Sequence, residues 1–239
     1  MAVAHGAEFD IHLSESEYEV SFVRERHQTT PIRLLDRLGI LDDRMIANHV
    51  IFADPEEIDL LAARGVRIAT CPFGSSKEGK IAPIVEYLEH NIPVGLATDS
   101  LLSNNSVSML RELALLIQLQ RVRTNKRGLL ADDALRIATL GSARVLRWQD
   151  HLGSLEVGKA ADIVLFDVRH PWGLTAERVA MEIVFSADRS NVSHVMVAGR
   201  TLYADGRMQT FDEQSMWQEL AEVYQQDGPR DWDPNYTGS

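Results

Sequence analysis

Apolar positions recur along this chain in two rhythms. Short apolar runs at 9–13 (FDIHL), 45–50 (MIANHV), 66–70 (VRIAT) and 93–97 (PVGLA) have the length of strands. Each is followed by residues at helical spacing. The first helical stretch spans Glu17 to Leu38, with Pro31 dividing it and Gly39 as its stop. The second opens on Asp54-Pro55-Glu56-Glu57, with Asp54 as N-cap, proline at the first helical position and acids in the first turn, and runs to Arg64 before Gly65. A loop, Pro72 to Gly79, leads to a helix over Ile81 to His90, and the last strand is followed by a helix over Val107 to Gln120. Strand and helix thus alternate four times, the pattern of βα units around a parallel sheet. Two more helices are predicted over Ala131–Thr139 and Ser142–Trp148.

After Gly153 the rhythm changes. Asp162–Asp167, His194–Val197 and Thr201–Tyr203 read as strands, and Ala198-Gly199 and Asp205-Gly206 as the turns of a hairpin-bearing segment. A helix over Glu213–Tyr224 follows, and the Gly-, Pro- and Asp-rich tail, Gly228–Ser239, is expected to fray. The division expected is a barrel portion over 1–150, a β segment over 151–211, and a helix with a loose tail over 212–239.

Composition narrows the partners. With 45% hydrophobic and 25% charged residues the chain can bury a core. Its formal net charge of −11 opposes a phosphate backbone or an anionic membrane. The single cysteine, Cys71, allows no intrachain disulfide, and no stretch approaches the roughly 20 apolar residues of a membrane span. The first residues lack a basic segment and an apolar segment, so they do not read as a signal peptide. A small-molecule substrate and a cytoplasmic setting are the expectation, with neither nucleic acid nor membrane as partner. The opening strand begins within a few residues of the first methionine, which suggests a part of a longer parent.

The chemistry lies where the predicted strands end. In a βα barrel the working side chains stand at the C-terminal ends of strands. Those ends carry His12 with Glu15, then His49, then Cys71, then Asp99. Taken singly, each has an ordinary structural reading: a hydrogen-bonded core histidine, a helix-start carboxylate, a capping aspartate. Together, two imidazoles and a carboxylate at successive strand ends suit a zinc- or iron-type hydrolase. Cys71 reads as a small apolar filler. One cysteine also excludes the zinc deaminases built on H-x-E and P-C-x-x-C.

FDIHLSESEYEV, the long run from IANHVIFADPEEIDLL to GLATDSLLSNNS, and LGSLEVGKAADIVLFD resemble the amidohydrolase superfamily, in its branch of cytosine, guanine and S-adenosylhomocysteine deaminases and triazine hydrolases. The resemblance covers about Ala4 to Met208. It implies an α/β fold, the C-terminal half of a TIM-like (β/α)8 barrel (strands 5–8), followed by part of a small β-sandwich. It implies His12 and Asp99 as metal ligands, Glu15 as proton shuttle and His49 as partner of the attacking water or substrate. Glu15, His49 and Asp99 are the expected catalytic residues, and Glu15, His49, Ser103 and Asn104 the expected substrate contacts. The cofactor implied is a divalent metal, zinc first and iron second.

The chain also departs from the family pattern. The eight histidines (5, 12, 27, 49, 90, 151, 170 and 194) include no H-x-H pair, which the family places on its first strand. CPFGS stands for the usual NPxSN, Thr98-Asp99-Ser100 for T-D-G, and Phe52 for a second histidine. Two ligands fall short of the three that a mononuclear zinc site needs, so the site is expected to be incomplete and tight metal binding by this chain alone is not expected. Four parallel strands leave two free edges, so a homo-oligomer or a complementary barrel half is the expected partner. The activity expected is hydrolysis of a carbon–nitrogen bond in an N-heterocyclic or amidine-like molecule. Dechlorination or N-dealkylation by the same machinery, and an inactive fragment or assembly subunit, are the alternatives.

Overall fold

Why the first apolar runs become one sheet is visible in their pairing. In the computed structural model, which describes residues 7–169 and 173–227, β1 (Phe9–Leu13), β2 (Met45–His49), β3 (Arg67–Thr70) and β4 (Val94–Leu96) form a parallel sheet in the order β1-β2-β3-β4. The register sets Phe9 beside Met45, Ile46 beside Arg67 and Ile68 beside Val94. Because side chains alternate along a strand, this register sorts them onto two faces. Ile11, Leu13, Met45, Ala47, Ile68, Val94 and Leu96 share one face and belong to the main hydrophobic core. Asp10, His12, Ile46, Asn48, Arg67, Ala69 and Gly95 share the other, which apart from Ile46 is small or polar.

The connections are helical. α1 (Glu17–His27) and α2 (Pro31–Arg37) lie between the first two strands, and α3 (Pro55–Arg64) between the next two. Asp54 caps α3 in a capping box with Glu57, and Gly65 ends it in the left-handed conformation. α4 (Pro72–Lys77) and α5 (Ile84–Glu89) precede β4, and α6 (Leu101–Asn104) and α7 (Met109–Thr124) follow it. α4 replaces the loop expected over Pro72–Gly79. Its glycine and serines are poor helix formers, Cys71 makes no side-chain capping bond, and the buried Glu112 takes up the free N–H of Phe73. Then come α8 (Ala131–Arg136), a π-type turn over Ile137–Gly141 and α9 (Ser142–Val145), which together replace two uninterrupted helices.

A helix absent from the sequence reading, α10 (Ala176–Phe185), packs on α7 and α8 and buries Ala180 and Val184. The chain divides into two units, 1–160 with 168–189, and 161–167 with 190–239. The second unit is an antiparallel sheet of β5 (Ile163–Phe166), β6 (Val192–Val197), β7 (Arg200–Ala204) and β8 (Arg207–Met208), followed by α11 (Glu213–Asp227). The tail expected to fray, 228–239, lies outside the described residues.

Candidate metal centre

His12 sits one residue before the end of β1, and Glu15 just beyond it. The main chain there is held by a residue the sequence reading passed over. Glu19, in the first turn of α1, accepts the backbone N–H groups of Ser14 and Glu15, both at 2.8 Å. Ser16 caps the same helix by accepting from Glu19 N at 3.1 Å. The loop that carries Glu15 is thus pinned to a helix start, and the Glu15 carboxylate reaches His12 Nδ1 at 3.3 Å. The signal was present as S-E-S-E-Y-E, but an acid in a first turn is usually read only for its dipole.

His49 closes β2. By strand alternation it belongs to the helix-covered side, in register with Leu13. The backbone leaves the strand there: φ is +68° at His49 and +42° at Val50. A positive φ in a β-branched residue is strained and is retained where surrounding contacts enforce it. Tyr87, fully buried, supplies one such contact by donating its hydroxyl to the carbonyl of Val50. The His49 ring then meets the His12 ring edge-on, with centroids 4.7 Å apart. Burial holds its pKa below the ordinary histidine value, the Glu15 charge opposing and the His12 charge assisting, which favours the neutral imidazole at pH 7. His49 is 3% exposed, and among the described residues neither ring nitrogen has a hydrogen-bond partner. Glu15 Oε1 lies 3.6 Å from Nε2, beyond hydrogen-bond range.

Asp99 follows β4, again with a left-handed φ of +61°. One carboxylate oxygen accepts Ser100 N at 2.7 Å. The other faces Gly74, where an added Cβ would lie 3.6 Å away. Ligand atoms of His12, His49 and Asp99 all lie within 4.8 Å of one another. Two neutral-capable imidazoles and a carboxylate converging from three strand ends, one imidazole buried with both nitrogens unpartnered, suit a divalent cation of the zinc type.

The remaining expected residues fall elsewhere. Cys71 is buried, and its thiol is pushed up to about 12, by burial first and then by the charges of Asp99, Glu112 and Glu15, so it stays protonated. Ser103 exchanges a hydrogen bond with the Ser100 hydroxyl at 3.1 Å. Asn104 is fully buried and its amide is committed to the loop: Nδ2 donates to Thr98 O and Glu112 Oε1, and Oδ1 accepts from Ser106 and Val107. Its position holds the loop together rather than opening onto a ligand.

The amidohydrolase family model matches residues 1–202. This chain is an amidohydrolase family member. The resemblance read from its strand-end motifs is borne out. The 5-methylthioadenosine/S-adenosylhomocysteine deaminase of Moorella thermoacetica is 34% identical over 221 residues, which cover 92% of this chain and 52% of that protein. The 5'-deoxyadenosine deaminase of Methanopyrus kandleri is 34% identical over 225 residues, covering 92% and 52%. Among solved structures, a zinc-bound adenosine deaminase from Xanthomonas campestris superposes with a TM-score of 0.87 at 28% identity, over 94% of this chain and 52% of that one. The zinc-complexed atrazine chlorohydrolase of Arthrobacter aurescens gives 0.84 at 29% identity, over 93% and 50%. This amidohydrolase chain therefore spans about half the length of the relatives it matches. Its fold is α/β, of the TIM-barrel type that the family implies. Among the described residues no helix is long and apolar enough to cross a membrane.

Proposed function

We propose that this chain carries one wall of the active site of a metal-dependent aminohydrolase that releases ammonia from a 6-aminopurine of the adenosine type. The reading rests on one observation above all: His12, His49 and Asp99 converge within 4.8 Å, with the Glu15 carboxylate beside both imidazoles. Relatives named as deaminases of adenosine derivatives support the substrate class. In this reading β1 to β4 are strands 5 to 8 of an eight-stranded barrel. Residues 1–150 belong to it together with α10, β5 to β8 belong to a small β-sandwich, and α11 follows β8. Among the described residues each outer strand pairs on one side only, β1 with β2 and β4 with β3, so a complementary half or a second copy could continue the sheet.

His12 and Asp99 would hold the divalent metal, zinc in the first instance. When bound, such an ion supplies Lewis acidity that makes water a nucleophile near neutral pH. The Asp99 carboxylate accepts the proton of the attacking water. Glu15, hydrogen-bonded to His12 and 3.6 Å from His49, delivers a proton to the ring nitrogen next to the carbon that bears the amine, and that carbon becomes electrophilic. His49, kept neutral by burial, donates a hydrogen bond to the oxygen as charge develops on it. A carbon–oxygen bond forms, the carbon–nitrogen bond breaks, and the amine leaves as ammonia after taking a proton.

The test uses the full-length protein. Glu15→Gln should lower turnover of an adenosine derivative by about 100-fold or more while metal content stays level. Equal loss of turnover and metal would remove the shuttle role from Glu15. The atrazine chlorohydrolase match favours a second reading, with chloride as leaving group. Chloride release from a chlorotriazine without ammonia release from adenosine derivatives would select it.

A further inference from the structure

Glu112 lies outside the cluster, in the first turn of α7, and it is 0% exposed. Among the described residues no lysine, arginine or histidine lies within ion-pair distance of it. Burial raises the pKa of Glu112, opposed by the hydrogen bonds from Phe73 and Asn104 and by the nearby Arg111 charge, so a carboxylate persists here only where its oxygens are well engaged. Both are. Oε2 accepts the backbone N–H of Phe73 at 2.8 Å, and Oε1 accepts Asn104 Nδ2 at 2.6 Å.

These two donors belong to different loops. Phe73 lies just after β3, beside Gly74, whose hypothetical Cβ would sit 3.6 Å from Asp99 Oδ2 and 3.9 Å from Ser103 Cβ. Asn104 lies just after β4, and the same Nδ2 donates to the carbonyl of Thr98 at 2.6 Å, one residue before Asp99. One carboxylate therefore fastens the loop that packs against Asp99 and, through Asn104, the peptide that leads into it. The left-handed backbone at Asp99 is one that aspartate tolerates better than most residues, and contacts from the neighbouring loops help to hold it. The two donors reach separate oxygens of Glu112, so a carboxamide in its place would turn an N–H donor toward one of them.

We propose that Glu112 is a positioning residue that sets the orientation of Asp99 by clamping the loops after β3 and β4 to α7. The proposal rests on the reading of Asp99 as a metal ligand. Groups that orient ligands from behind typically change metal affinity about 10- to 100-fold when replaced.

A thermodynamic cycle in the full-length protein tests this, read by Zn(II) competition titration and by amide hydrogen exchange. Glu112→Gln should speed exchange at the Phe73 amide and across 98–105. It should weaken Zn(II) binding about 10- to 100-fold, and cause no further loss in an Asp99→Asn background. Unchanged affinity in the Glu112→Gln protein, or equal losses in both backgrounds, overturns the proposal, because a diffuse structural role would act regardless of Asp99. If Glu112→Gln does not fold, Glu112→Asp is read in the same cycle: it keeps the charge but is one methylene too short to reach both donors. If Asp99→Asn itself leaves Zn(II) affinity unchanged, the ligand reading of Asp99 falls, and the positioning role falls with it.

Discussion

The two faces of the parallel sheet divide the work of the molecule. One face presents Leu13, Met45, Ala47, Ile68, Val94 and Leu96 to the helices, and all are buried. The other presents Asp10, His12, Asn48, Arg67, Ala69 and Gly95, small or polar side chains. Stability is gained on the first face, where apolar area leaves water. The second is mostly polar or small, with Ile46 and the buried Arg67 as its large side chains, and it carries His12 near the end of β1. His49 shows how the division is crossed: it belongs by register to the apolar face, and a left-handed turn brings its ring to His12. The cluster brings together His12, which follows the alternation of β1, and His49, which departs from that of β2 at the strand end.

The comparison breaks first if the apolar face proves dispensable. Ile68→Ala or Met45→Ala, both at fully buried positions, should each cost about 2–5 kcal/mol, since transfer and cavity losses add. Urea denaturation of the two variants checks this, and losses below 1 kcal/mol would mean the helices do not depend on that face. A smaller effect is expected where a helix crosses the second face. A Cβ at Gly95 would meet Ser142 Cα at 3.0 Å and Val145 Cγ2 at 3.2 Å, the first and last residues of α9. Gly95→Ala should therefore destabilise by about 1–3 kcal/mol through overpacking. Thermal melting no different from wild type would show that α9 gives way freely.

How much of this could be read from the sequence follows the same division. The apolar face is encoded locally: the runs at 9–13, 45–50, 66–70 and 93–97 each contain the strand found there, to within a residue or two at the ends. Pro31 divides α1 from α2, and Asp54 with Gly65 brackets α3, because proline, caps and left-handed glycines act within a few residues. His12, His49 and Asp99 could be singled out because position at a strand end is also a local property. What escaped depends on distant partners. α4 forms in PFGSSK with Phe73 N bound to Glu112, 39 residues away. Asn104 looked like a ligand contact in a polar loop, and only packing shows its amide turned inward. α10 carries a helical periodicity, with Val179, Ala180, Ile183 and Val184 along one side, set within a strand-rich stretch that masks it.

Acid should erode the helix side by a modest margin. Burial raises the pKa of Asp54, but bidentate hydrogen bonds from Arg33 at 2.8 and 2.9 Å and the N–H of Glu57 outweigh it, so the folded value is lowered. The unfolded chain then binds more protons over that range. The contribution is complete above the unfolded pKa, about 4, and is lost as pH falls through the folded value. Asp54→Asn keeps a good cap and removes the charge. Its melting temperature should fall less than wild type's between pH 6 and pH 3, and parallel curves for the two proteins would assign the acid sensitivity to other groups.

The smallest effect is expected at Asp10, on the polar face. Its carboxylate accepts from Asn48 Nδ2, and the residue is exposed. Asp10→Asn retains an acceptor oxygen in the same place, so stability should change by no more than about 0.5 kcal/mol. That near-neutrality sharpens the contrast with Ile68, whose strand-mate Arg67 shares the face of Asp10 and Asn48. A loss at Asp10 comparable to that at Ile68 would mean that the polar face holds the sheet together as well, and the separation of stability from chemistry would have to be redrawn along the strands instead of across them.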